Sequence, residues 1–452
     1  MNHLLCGLAA NPALPPELVD RLVALALQRA GSAPEFADDL AYSLADRANL
    51  RHEQVVALAA QAEHTAVFLA RSAKLAADDV DPGSAPRAAV ALLDEGRGRP
   101  EWAHLLAAHP SSGIRWKLAS CPGLPPDVVD RLAADPDGEV VAELALWTSG
   151  PVAARLALHP DPRVRLAVAA NPATPVESVL ALAEDPELSL NWALSERTDL
   201  PQSLYARLAA DPLTGVRATY AHNRGVGPEL IRVLAADPVE DVRRALAAHP
   251  HVPLDLLAEL AVEHRTGSDL LPRIAAATPA ELAELAASPF PAVRMLVARH
   301  RDLPAQVRDA LAGDPDAAVV QAVAPHPGLS EAALRAMVER YGVQVLARVA
   351  ANPDATGALL EDLTRHRPGV RRALKEVARH PHATGPALLA CLADRTARLL
   401  AAAHPALPPE AVTELLGDED RSVAEAAAGN PSLPCAAMAR LLEPADGRGR
   451  RG

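Results

Sequence analysis

The stretch Asp237 to Leu260, Asp-Pro-Val-Glu-Asp-Val-Arg-Arg-Ala-Leu-Ala-Ala-His-Pro-His-Val-Pro-Leu-Asp-Leu-Leu-Ala-Glu-Leu, recurs along nearly the whole chain, and this period restricts the fold more than any other feature. With His249 taken as an anchor, Asp-Pro stands twelve residues before it and Pro, Thr or Ser usually four after it. The same frame fits anchors at Asn11, Arg47, Arg71, Gly96, Cys121, Trp147, Asn171, Arg197, Asn223, His249, Ala275, His300, His326, Asn352, His380, His404 and Asn430, about 17 repeats in all. The first interval is 36 residues; the others lie between 24 and 28, most of them 26. A chain of 452 residues would ordinarily divide into about three globular cores. A repeat of this size instead buries its apolar face on its neighbours and makes one continuous core.

Within a repeat the apolar positions are helical. Val242 and Leu246 stand four apart, as do Leu256 and Leu260, so each pair shares a helix face. Two short helices follow: Asp237 reads as the N-cap of the first with Pro238 at its first position, the first ends near His249 because Pro250 disfavours helix before it, and Pro253 opens the second. Acidic residues in the first turn of the second helix, Asp255, Glu177, Glu229 and Glu410, suit the helix dipole. The expected architecture is all-α: a right-handed superhelical solenoid over residues 1–442, irregular near 28–39 and 263–279, with a disordered tail at 443–452. Gly31, Ser32 and Pro34 mark a loop in the first irregular segment, and Gly267, Ser268 and Pro272 mark a bend in the second.

Asp-Pro, Val-Arg, Ala-Ala-Asn-Pro and Thr-Pro or Leu-Pro-Pro-Glu at these offsets resemble the leucine-rich repeat variant family of bacterial solenoids, and the resemblance covers nearly the whole chain. It implies alternating α and 3₁₀ helices, so one helix of each pair becomes a candidate 3₁₀ helix. The family's described form also carries a cysteine-rich iron–sulfur segment ahead of the repeats. No comparable cluster of cysteines occurs in this sequence, so no cofactor is expected. The repeats also resemble HEAT repeats, which share the Asp and Arg six residues apart.

Composition narrows the function. Half the residues are hydrophobic but only 2% are aromatic, and the net charge is −13. Nonspecific nucleic-acid binding needs a cationic surface, so it is disfavoured. Among the basic residues only Lys74, Lys117 and Lys375 are lysines, which with the abundant Ala and Pro points to a bacterial coding bias. Cys6, Cys121, Cys391 and Cys435 are too scattered for a CxxC pair or a disulfide framework, and Cys391 fills a slot that is Leu in other repeats. No export signal and no apolar run of membrane length occurs, so the expected location is cytoplasmic.

Two charged rows track the period. Arg recurs six residues before the anchor at Arg115, Arg165, Arg217, Arg243, Arg294 and Arg398, and Asp six before that at Asp135, Asp185, Asp211, Asp237, Asp314 and Asp418. The expected role is a ladder, in which Asp caps its helix and pairs with Arg of the same or the next repeat. A bare Arg row gripping an anion is the competing reading. Histidines at the anchors His249, His300, His326, His380 and His404 alternate freely with Asn, so hydrogen bonding at a helix end explains them better than a metal array, and no metal site is expected. Glycine-loop, nucleophile-elbow and zinc-protease motifs are lacking, which points away from an enzyme.

Three of the four Trp lie in the repeats anchored from Cys121 to Arg197. Trp116 and Trp192 occupy the same slot, five residues before their anchors, on the side of the helix away from its apolar positions. With Arg115 and Asn191 as polar margin they are the candidate binding residues. The expected function is a non-catalytic protein–protein interaction scaffold for a protein or peptide. The alternative is a HEAT-like solenoid that binds or modifies nucleic acid through its Arg row.

Overall fold

The structure is a computed structural model that describes residues 2–184, 193–194, 197–264, 267, 269–366 and 370–443. Its regular elements are all helices among these residues, arranged as the helix pairs of a repeat solenoid. The expected tail falls outside the described residues from 444 onward, as do Asn191, Trp192 and Asp185. The chain forms two compact bodies, Met1–Leu75 with Arg308–Gly452, and Ala76–Val307.

In the second body the repeat anchored at His249 is typical. Its first helix is Glu240–Leu246 and its second Leu254–Glu263. Val242, Leu246, Leu257 and Leu260 are buried, each contributing roughly 1.5–3 kcal/mol. First helices pack on first helices of the neighbouring repeats: Ser112–Ala119, Gly138–Trp147 and Pro162–Ala170 lie side by side. The fully buried Ala145 and Ala169 show how small residues permit the close approach. In the first body, Arg371–Arg379, Arg395–Ala403 and Arg421–Ala428 repeat the arrangement.

Three expectations are corrected. The second helices are α, not 3₁₀: the amide of Leu257 donates to the Pro253 carbonyl four residues back at 2.8 Å, and among the described residues 3₁₀ helix is confined to Ala77–Asp79 and Gly342–Gln344. Asp237 is not the N-cap. Its carboxylate accepts from the amide of Val239 at 2.9 Å and closes a turn that delays the helix to Glu240. The capping slot lies two residues later, where Asp137, Asp161, Asp316, Asp394 and Asp420 accept from the amide two residues on. Finally, the first irregular segment is a short turn at residues 30–33, where Gly31 and Ser32 mark it, flanked by helix on both sides rather than an extended loop. The second helix of repeat one extends over Pro16–Arg29, and Pro34 sits where its missing N–H costs nothing, opening Pro34–Ala45. In the other irregular segment, Pro272 opens a four-residue helix, Pro272–Ala275.

Candidate interaction surface

In most repeats the period places a polar side chain where the first helix ends, and these side chains form a buried spine. Asn352 donates from Nδ2 to the carbonyls of Ala324 and His326 at 2.6 and 2.7 Å, while its Oδ1 accepts from the amide of Asp354 at 2.9 Å. His380 makes the same pattern with different atoms. Nε2 reaches the Asn352 carbonyl at 2.8 Å and Nδ1 accepts from the amide of His382 at 3.1 Å. Asn171, Asn223, His249, His404 and Asn430 repeat it. Asn and His interchange because each offers a donor to the carbonyl of the preceding anchor and an acceptor to the amide two residues on; the second Asn N–H reaches a further carbonyl.

An arginine can supply the donor as well. Arg47 bonds the carbonyls of Ala9 and Asn11, and Arg197, which is 2% exposed, bonds those of Asn171 and Thr174 and both oxygens of Asp199. The frame fails at Arg71, which is exposed. Ala73, with φ of 61°, turns the chain there, and Lys74 donates to Ala45 and Arg47 instead.

Because Nδ1 accepts a backbone N–H, these histidines are neutral with the proton on Nε2, and protonating Nδ1 breaks that bond. Burial lowers the pKa of His249, His380 and His404 below the ordinary value of 6.5. A depressed histidine pKa means that the unfolded chain binds more protons, so stability is full above about pH 6.5 and falls as pH drops from there toward the folded pKa. Urea midpoints at pH 8, 6.5 and 5 should therefore decrease in that order, with most of the loss below pH 6.5.

The charged rows form a second ladder. Arg115 donates from Nε and Nη2 to both oxygens of Asp135, the Asp of the next repeat, at 2.6 and 2.9 Å, and from Nη1 to the carbonyls of His109 and Pro110. Arg217 treats Asp237, Asp211 and Pro212 alike, and its guanidinium holds the Asp237 carboxyl below the usual carboxylate range. Arg243 meets His264 in place of a carboxylate. His109 and His159 stand in the Asp slot and accept through Nδ1 from the amide two residues on, as the aspartates do. The Arg115 and Asp135 side chains are 12% and 4% exposed, against 57% and 61% for the Arg155–Asp130 pair. Arg115→Ala should therefore lower the melting midpoint by several degrees and Arg155→Ala by almost none, because exposed pairs contribute only about 0–1 kcal/mol.

With the repeated polar groups turned inward, the outer face of the first-helix layer carries the remaining signal. On Ser112–Ala119 the core side is Ile114 and Leu118, and Trp116 lies opposite, half-buried, with the Lys117 ammonium 4.5 Å from its ring centroid. The equivalent positions on the next two helices are Ala142, half-buried, and Leu166, exposed. Trp147 is 63% exposed, and its Nε1 donates to Glu143 at 2.9 Å. Trp102 is buried. Of the candidate residues, Trp116 thus lies on the outer face of a helix that packs against the one ending at Trp147, Arg115 is engaged in the ladder, and Asn191 and Trp192 lie outside the described residues. Sequence reasoning singled out Trp116 and passed over Trp147, which occupies an anchor position yet points outward.

Among the described residues, no group of three or more His, Cys, Asp or Glu could hold a metal ion, and no helix is long and apolar enough to cross a membrane. Cys6 opens onto a cleft of about 940 Å³ with His3, Asp39 and Tyr42, but burial pushes its thiol pKa up to about 11. At neutral pH it carries little thiolate, so it is a poor nucleophile.

The helix pairs, the spine and the inter-repeat ladder define an all-α repeat solenoid. Residues 162–187 match the family described as Leucine rich repeat variant. They span one repeat of the frame that runs through the chain. A solved structure titled "A leucine-rich repeat variant with a novel repetitive protein structural motif" is 20% identical, covering 61% of this chain and 87% of its own, with a TM-score of 0.22. No curated protein matches the chain.

Proposed function

We propose that the protein is a cytoplasmic, non-catalytic scaffold that binds a protein or peptide on the outer face of the first helices around Trp116 and Trp147. The observation that carries this reading is Trp147, 63% exposed in a chain with only 2% aromatic residues. Trp is among the residues that dominate binding energy at interfaces, and a solenoid offers such residues on a long, regularly spaced surface. The nucleic-acid alternative has less support, because Arg115 and Arg217 are engaged by carboxylates and carbonyls and the net charge is −13.

The test is crosslinking with mass spectrometry in the native host, comparing wild type with Trp116→Ala/Trp147→Ala. The reading expects a specific protein recovered by wild type and reduced at least tenfold with the double variant, whose melting midpoint stays within a few degrees. Equal recovery from a folded double variant would remove the surface from consideration. Salt-sensitive oligonucleotide binding that is lost in Arg115→Ala would favour the alternative.

A further inference from the structure

An open stack exposes an apolar face at each end unless its terminal repeats are polar caps. The first repeat here is no such cap: Leu5, Leu8 and Ala9 are in frame and buried. Part of the surface that covers this helix belongs to the last repeat. Helix Asn2–Ala10 packs on Arg421–Ala428 on one side and on Pro34–Ala45 on the other. The spine continues across this seam: Asn11 donates from Nδ2 to the carbonyls of Ala428 and Asn430 at 3.0 and 2.7 Å, as Asn430 itself does to Ala402 and His404. Outside the spine, Arg21 bonds the Leu442 carbonyl at 3.0 Å. Within the first body the order of stacking is therefore His380, His404, Asn430, Asn11, Arg47.

We propose that the first repeat caps the last, and that this seam carries folding stability in the way an interior repeat interface does. The seam leaves no room at Gly7. A Cβ there would stand 2.2 Å from the backbone oxygen of Glu425, which the helix holds through its bond with the Gly429 amide. A helix interior otherwise prefers Ala to Gly. Glycine at position 7 thus marks close approach between residues that are hundreds of positions apart in sequence. The seam also alters what truncation does, because removing the repeats from Leu329 onward strips the surface under Asn2–Ala10 as well as the deleted interfaces.

The test uses the full chain. Gly7→Ala is compared with wild type and with Gly31→Ala, where an added methyl meets nothing within 4 Å, by thermal melting and by hydrogen exchange read by mass spectrometry. In wild type, peptides covering residues 2–14 and 421–441 should exchange as slowly as those of interior repeats. In Gly7→Ala the melting midpoint should fall and exchange should accelerate at least tenfold in both segments together, while Gly31→Ala leaves both as in wild type. A midpoint that is unchanged or raised, or acceleration confined to residues 2–14, would overturn the proposal.

Discussion

Asn352→Leu is expected to lower the unfolding free energy by about 3–5 kcal/mol. The substitution keeps an apolar side chain of similar size but leaves three groups without their partner: the carbonyls of Ala324 and His326 and the amide of Asp354. Asn352 is fully buried and its bonds to the two carbonyls are buried, so water cannot replace those two. A buried group left unsatisfied costs about 1–3 kcal/mol. Asn352→His should recover part of the loss, because His380 and His404 bond one carbonyl and the amide two residues on from the same slot, leaving only one carbonyl without its partner. Equilibrium urea unfolding of the three proteins checks this, and equal midpoints for Leu and His would mean that the spine contributes nothing specific.

Arg197→Ala should cost about as much, roughly 3–5 kcal/mol, because it leaves two buried carbonyls unsatisfied at about 1–3 kcal/mol each and empties the space of a fully buried side chain, while the half-exposed Asp199 stays hydrated. The lost side chain fills the interior and satisfies the Asn171 and Thr174 carbonyls together with Asp199. Its own carbonyl continues to accept from Asn223 and from the Tyr205 hydroxyl at 2.8 Å, so the damage is confined to one side of the repeat. Arg197→Lys should rescue only part of the stability. A single ammonium cannot reproduce the planar fork that spans two carbonyls and a carboxylate.

Much of this was legible in the sequence. The period gave the repeat boundaries, the Asn and His alternation gave the hydrogen-bonding role of the anchors, and the six-residue spacing gave the Arg–Asp pairing. The choice between same and next repeat was not legible, because it depends on the rise between stacked repeats, and Arg115 reaches forward to Asp135. Asp237 was mistaken for a cap because Asp-Pro ordinarily opens a helix, whereas its turn to Val239 takes precedence here. The shift from Arg71 to Lys74 turns on a single residue at positive φ, which an alanine does not announce. The seam at Asn11 was hidden because its partners lie more than 400 positions away, although the in-frame Leu8 and Asn11 at the very start were its trace. On the surface, Trp116 was found by its slot. Trp147, which shares no slot with another Trp, is set apart only by its exposure in the structure.

The central claim is that the repeated polar residues join repeat to repeat and are not presented to a ligand. The most direct measurement is the ¹⁵N spectrum of the histidine side chains followed from pH 8 to pH 5. His249, His380 and His404 should stay neutral with the proton on Nε2 as the pH falls through 6.5, each Nδ1 showing the shift of a hydrogen-bond acceptor. Anchor histidines that titrate near pH 6.5 with exchange between tautomers would mean that the spine is open to solvent, and would contradict the account.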